Sequence, residues 1–216
     1  MPAATNFNAT AFRARTVPDY VATYNPDSRI ITKLEVLNFA EPRGLSVHGM
    51  DVVPDEQDSD LLWVYLVNHR PPLDPTVDAN VVGADSAIEI FKTRVGASTM
   101  EWVKTVEDPS VIVTPNDILG GANGQEFWFT NDSPIKTGAM RMLHLLFRLE
   151  SAWVGYCHVD AGCKVAVDQI HCSNGITRNT DGTVWVTSSG AAGYITVHEQ
   201  QADKTLVPTE VIHVGG

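Results

Sequence analysis

Residues 115–131 read PNDILGGANGQEFWFTN, which is a polar head, a short strand, a Gly/Asn turn and a strand rich in aromatic residues. The same layout occurs in residues 47–68 and again in residues 173–190. A four-stranded unit that recurs roughly every 40–50 residues or a little more is typical of a β-propeller blade. The repeat therefore predicts an all-β propeller with about three to four blades, too few for most closed propellers.

The remaining sequence agrees with this fold class. β-Branched and aromatic runs such as AIEIFKT (residues 87–93) and GYITVHEQ (residues 193–200) alternate with Gly-, Pro- and Asp-rich turns. Residues 139–148, AMRMLHLLFR, are good helix formers and predict one helix. We expect a poorly defined N-terminal segment over residues 1–27 and a partial propeller domain over residues 28–216.

Composition excludes several partners. The 216 residues include 15 Lys and Arg against 26 Asp and Glu, and this acidic balance argues against a nucleic-acid partner. No apolar run approaches the roughly 18 residues of a membrane span, and the first residues lack the apolar core of a signal peptide. We therefore expect no membrane segment and no secretion signal in this sequence.

Three cysteines are present, at positions 157, 163 and 172. An odd number leaves one thiol unpaired in a monomer. The spacing leaves open whether Cys157 and Cys163 form a local disulfide or are buried thiols.

The polar heads of the three units are candidate site residues, because the inner strands of a propeller converge on its axis. Asn116 and Asn174 are candidate oxygen ligands for calcium, which binds carboxylates, amides and backbone carbonyls. Both also suit ordinary turn positions. Asp117 should point away from Asn116 along a regular strand, where it would hold a second ion or cap a loop.

Two histidines stand at matched strand ends of the first unit. His48 opens the unit and His69 closes its aromatic strand in VNHRP. Each alone is more often structural, but the two ends of a hairpin return to one edge. We therefore predict a His–His dyad in which one imidazole activates water and the other orients it. The motifs GxSxG and HExxH are absent from the sequence, so a serine hydrolase is not supported.

The ordered motifs HG (residues 48–49), VNH (67–69), PND (115–117), TND (130–132) and NGI (174–176) resemble those of the serum paraoxonase/arylesterase family, especially its fungal members. The resemblance extends from about residue 28 to the C-terminus. It implies a six-bladed propeller, present here in part, with two calcium ions in a central tunnel. It also implies a small-molecule substrate, either an aryl ester or a lactone.

The resemblance assigns roles residue by residue. Asn116 and Asn174 match ligands of the catalytic calcium, which polarises the ester carbonyl. Asp117 and the backbone carbonyl of Met50 match ligands of the structural calcium. His48 matches the histidine proposed to activate water, and His69 its partner.

The sequence departs from the family pattern in two respects, at one tunnel position and at the two ends of the chain. The motif acid Asp132 is followed by Ser133 where the family has histidine. Three of the five expected ligands of the catalytic calcium have no counterpart here, so we expect a chain truncated at both ends. Such a chain would have weak or no activity and would self-associate through open sheet edges.

Two alternative functions remain open. The chain could be a non-catalytic propeller fragment that serves as a binding or structural module. It could also be a sugar-lactone hydrolase of the gluconolactonase-like propellers, although the VNH segment favours the arylesterase family.

Overall fold

The computed structural model describes residues 17, 19–147, 149–189 and 193–214. These residues form fifteen β-strands and two short helices, so the predicted all-β class is confirmed. A two-stranded ribbon of β1 (Ala22–Asn25) and β2 (Ile30–Lys33) precedes three larger sheets. The predicted domain boundary after residue 27 falls in the turn of this ribbon, and residues 1–16 lie outside the described part of the chain.

The first sheet contains five strands in the order β3-β7-β6-β5-β4. Their bounds are β3 (Glu35–Leu37), β4 (Val47–Pro54), β5 (Leu61–Arg70), β6 (Asp85–Arg94) and β7 (Thr99–Val106). Strands β4 to β7 form an antiparallel meander, and β3 joins its outer edge parallel to β7. The short helix α1 (Ala79–Val82) lies between β5 and β6.

The second and third sheets are four-stranded antiparallel meanders in chain order. The second contains β8 (Pro115–Gly120), β9 (Glu126–Asn131), β10 (Ala152–His158) and β11 (Gly162–Ile170). The third contains β12 (Ser173–Arg178), β13 (Val184–Ser188), β14 (Tyr194–Gln200) and β15 (Leu206–His213). The predicted helix is present as α2 (Ala139–Leu146), between β9 and β10.

Strand β9 shows why the sheets stack face to face. Its alternate residues Phe127 and Phe129 pack into a core shared with the first sheet, while Trp128 packs into a core shared with the third. Successive side chains of a strand point to opposite faces, so an aromatic strand buried on both faces joins two cores. Burying each such side chain fully contributes about 1.5–3 kcal/mol.

The inner strands β4, β8 and β12 lie side by side. A Cβ atom on Gly49 of β4 would stand 2.3 Å from the backbone oxygen of Asn116 in β8, so only glycine allows this approach. Carboxylates connect neighbouring strands: Asp51 accepts the Gly120 N–H at 2.8 Å, and Asp117 accepts the Ile176 N–H at 3.1 Å. The three repeated units are thus three consecutive blade-like sheets.

All three inner strands carry a β-bulge at the same place. In the first sheet, two residues of β4 between Val47 and Met50 face one residue of β5, and the register shifts correspondingly in the other two sheets. We call the inserted residues the bulge pairs. They are His48 with Gly49, Asn116 with Asp117, and Asn174 with Gly175, and they face Val67, Thr130 and Thr187 respectively.

The cysteine pairing left open by the sequence is resolved in the structure. Cys157 and Cys163 form a disulfide directly across the β10–β11 hairpin. Cys172 is a buried free thiol whose sulfur lies 3.0 Å from the Ser189 hydroxyl.

Candidate active site

The two predicted dyad histidines are in contact. The rings of His48 and His69 meet edge to face, with centroids 5.5 Å apart and planes at 71°. His48 is an exposed member of the first bulge pair, whereas His69 at the end of β5 is buried. The hairpin therefore brings both strand ends together, as the sequence predicted.

His69 is held by protein groups on both sides of its ring. Its Nδ1 atom lies 2.9 Å from the Ser86 hydroxyl. Burial lowers the pKa of His69 to about 3, and repulsion from the protonated form of His48 and from the Arg141 guanidinium acts in the same direction. The backbone of Pro115 opposes this shift and raises the pKa of the ring, as a carbonyl that faces an imidazole does. His69 is therefore neutral at pH 7 and fixed in orientation.

His48 is the more accessible base of the two. Partial burial lowers its pKa, and the nearby carboxylates of Asp132 and Asp117 oppose that shift. The imidazole is consequently neutral near pH 7 and able to accept a proton.

The predicted calcium ligands lie on β4, β8 and β12. Asn116 and Asn174 are half-buried members of the second and third bulge pairs. The Asp117 carboxylate reaches across to β12 and accepts the N–H of Ile176. Met50 follows the first bulge pair and is 51% exposed.

These donors fit part of a calcium coordination shell. Among the described residues, the side-chain amides of Asn116 and Asn174 have no hydrogen-bond partner, so their oxygens are available as ligands. Asp117 adds one carboxylate, whereas calcium takes six to eight oxygens. Within the described ranges, no three His, Cys, Asp or Glu side chains form a group that could hold a metal ion.

Asp132 follows the last residue of β9 and lies near His48. Its Oδ2 atom accepts from the Arg141 guanidinium of α2 at 2.5 Å. Its Oδ1 atom is buried and has no hydrogen-bond partner in the part of the chain that the structure describes. Ser133, in place of the expected histidine, is buried and donates its backbone N–H to the Thr114 hydroxyl.

Sequence reasoning missed the second strand of each sheet as a support for the site. Residues 67–69, 130–132 and 187–189 occupy equivalent places and read VNH, TND and TSS. The first residue of each triplet faces the bulge pair. The second bonds to the segment before the inner strand: Asn68 accepts the Ser46 N–H at 2.8 Å, and Asn131 accepts the Thr114 N–H at 2.8 Å. The asparagine shared by VNH and TND was the sequence signal that could have indicated this supporting role.

Comparison with known proteins identifies the family of this chain. A family model described as Arylesterase matches residues 20–216. The chain belongs to the arylesterase family. The match begins just before β1 and extends through all three sheets.

One curated member of the arylesterase family is serum paraoxonase/arylesterase 1 of Mus musculus, which is 23% identical over 190 residues. The alignment covers 88% of this chain and 49% of the mouse protein. The chain therefore spans about half the length of the curated relative that it matches.

A solved structure, the periplasmic gluconolactonase of Pseudomonas aeruginosa, superposes with a TM-score of 0.49 at 9% identity. The superposition covers 90% of this chain and 49% of the gluconolactonase. Neither helix of the described residues is long and apolar enough to cross a membrane.

Proposed function

We propose that the chain is a calcium-dependent hydrolase of aryl esters and lactones. The observation that carries this proposal is the neutral, exposed His48 in contact with the fixed His69, on the inner strand that approaches Asn116 of β8. Membership in the arylesterase family supports the same reaction class.

His48 has the position and protonation state of a general base. Its imidazole would take a proton from water while the water oxygen attacks the ester carbonyl carbon. The acyl C–O bond then breaks, and the proton passes to the departing alkoxide or phenolate. His69 would orient the His48 ring through their edge-to-face contact.

The amide oxygens of Asn116 and Asn174 would hold the catalytic calcium, and Asp117 with the Met50 carbonyl would hold a second ion. Bound calcium would polarise the ester carbonyl. Three consecutive sheets with adjacent inner strands support the further proposal that the complete architecture is a six-bladed propeller, of which these are three blades.

Phenyl acetate hydrolysis by the purified chain tests the proposal. We expect slow turnover with calcium, because the described residues supply only part of the metal shell, loss of turnover with excess chelator, and a lower rate in the His48→Gln variant. His213→Gln is the matched control, because His213 is exposed on the outermost strand of the third sheet. A chain that is folded by circular dichroism but releases no phenol would contradict the enzyme proposal.

Calcium should bind weakly, because calcium affinity rises with the charge of the ligands and these residues supply one carboxylate. We expect a dissociation constant no tighter than about 1 mM, at the weak end of protein sites. Isothermal calorimetry measures it directly. A micromolar constant would show that further carboxylates complete the shell.

A further inference from the structure

A β-bulge leaves backbone groups without their ladder partners. In two of the three sheets, the threonine opposite the bulge pair replaces the missing acceptor. The Asp117 N–H donates to the Thr130 hydroxyl at 3.1 Å, and the Gly175 N–H donates to the Thr187 hydroxyl at 2.8 Å. The first sheet has Val67 at this place, which offers no such acceptor.

The second bond of Thr130 crosses between sheets, whereas the Thr187 hydroxyl donates to the Gly175 carbonyl of its own sheet at 3.4 Å. The Thr130 hydroxyl donates to the backbone carbonyl of Asn174 in the neighbouring sheet. One hydroxyl therefore accepts from the backbone of Asp117 in β8 and donates to the backbone of Asn174 in β12. Thr130 is fully buried, so water cannot replace either bond.

Because the two strands belong to different sheets, no ladder hydrogen bond fixes their spacing at this point. Among the described residues, three hydrogen bonds hold it: the Thr130 bridge, the bond from the Ile176 N–H to the Asp117 carboxylate, and the bond from the Ser173 hydroxyl of β12 to the Asn131 carbonyl of β9 at 2.7 Å. The carboxylate is itself a candidate metal ligand, and Ser173 bonds to β9 and not to β8. Thr130 is therefore the neutral side chain in these three bonds that connects β8 directly to β12.

We propose that Thr130 is a positioning residue that sets the distance between the second and third bulge pairs, and thereby the spacing of amide ligands for a divalent cation. The inference rests on the proposed function for its metal. The backbone bridge itself is independent of any metal.

Three variants test the role of Thr130. Thr130→Val keeps the shape but removes the hydroxyl, and Thr130→Ser keeps the hydroxyl. Thr196→Val is the matched control, because Thr196 is a buried threonine of β14 whose hydroxyl donates to Val186 within the third sheet. All three are compared by NMR, using amide hydrogen exchange and titration with calcium alone.

In Thr130→Val, we expect the amides of Asp117 and Ile176 to exchange about tenfold faster, as the loss of one net hydrogen bond allows. We also expect calcium to bind about tenfold more weakly. Thr130→Ser and Thr196→Val should both keep the exchange rates and the calcium affinity of the wild type. The Ile176 amide is the decisive reporter, because its N–H bonds to Asp117 and not to Thr130. If Thr130→Val removed only the hydrogen bonds of Thr130 itself, the exchange rate of the Ile176 amide would not change.

Unchanged exchange at Ile176 in Thr130→Val would overturn the positioning role, as would calcium binding equal to that of the wild type. If Thr130→Val fails to fold, Thr130→Ala replaces it, and Thr130→Ser serves as the reference that keeps the hydroxyl. A wild-type chain that binds no calcium would remove the calcium part of the proposed function, and the exchange rates would still decide the role of Thr130.

Discussion

Replacing Arg70 by leucine should lower the free energy of unfolding by about 3 kcal/mol. The Arg70 side chain is 2% exposed and contacts three carboxylates: Glu41 at 3.2 Å, Asp85 at 3.2 Å and Glu107 at 2.5 Å. Removing one partner of a buried ion pair typically costs about 3–5 kcal/mol, because the remaining charge is left uncompensated. The low end applies here, since Asp85 and Glu107 are about half exposed and Arg43 still pairs with Glu41 and Asp85.

Arg94→Leu is the matched control for Arg70→Leu. Arg94 pairs with Asp58, but both side chains are largely exposed, at 60% and 43%. Exposed pairs contribute about 0–1 kcal/mol, so this variant should unfold close to the wild type. Urea denaturation of both variants measures the difference. Equal midpoints for the two would show that the buried cluster around Arg70 adds nothing to stability.

Gly49→Ala should destabilise the chain by about 1–3 kcal/mol and should displace the second bulge pair. The new Cβ would lie 2.3 Å from the Asn116 backbone oxygen and 2.6 Å from the Asp117 Cα. Backbone atoms cannot rotate away as a flexible side chain can. Strands β4 and β8 must therefore separate, and the candidate calcium ligands move with β8.

Gly175→Ala provides the control, because Gly175 holds the same bulge position in the third sheet as Gly49 does in the first. Its Cβ would meet the Thr187 hydroxyl at 3.0 Å and no closer atom. We expect a smaller loss of stability and little change in the Asn116 amide resonance. Denaturation midpoints and NMR shifts report the two effects separately. A Gly49→Ala variant as stable as Gly175→Ala would contradict the close approach of β4 and β8.

Much of the fold could be predicted from sequence, because its signals are local. The alternation in EFWFTN, the turns after each strand and the helix formers of residues 139–148 each reflect neighbouring residues. The three-unit repeat gave the order of the sheets. The pairing of His48 with His69 was also predictable, because both ends of one hairpin must return to the same edge.

The features that sequence could not give depend on register and on contacts between distant segments. A regular strand predicts that Asn116 and Asp117 point in opposite directions, but the bulge breaks that alternation, and a bulge shows only in the pairing register. The hydroxyl bond of Thr130 crosses between sheets, and the cluster around Arg70 joins a loop to two strand ends. None of these has a short-range signal.

The recurring bulge has a consequence for how chemistry is distributed over the chain. The same backbone kink presents an imidazole in the first sheet, an amide with a carboxylate in the second, and an amide in the third. The bulge geometry is the same in the three sheets, whereas the side chains at the bulge positions differ. Substitutions at these bulge positions, for example Asn174→Asp, would therefore add new donors without a change in any strand.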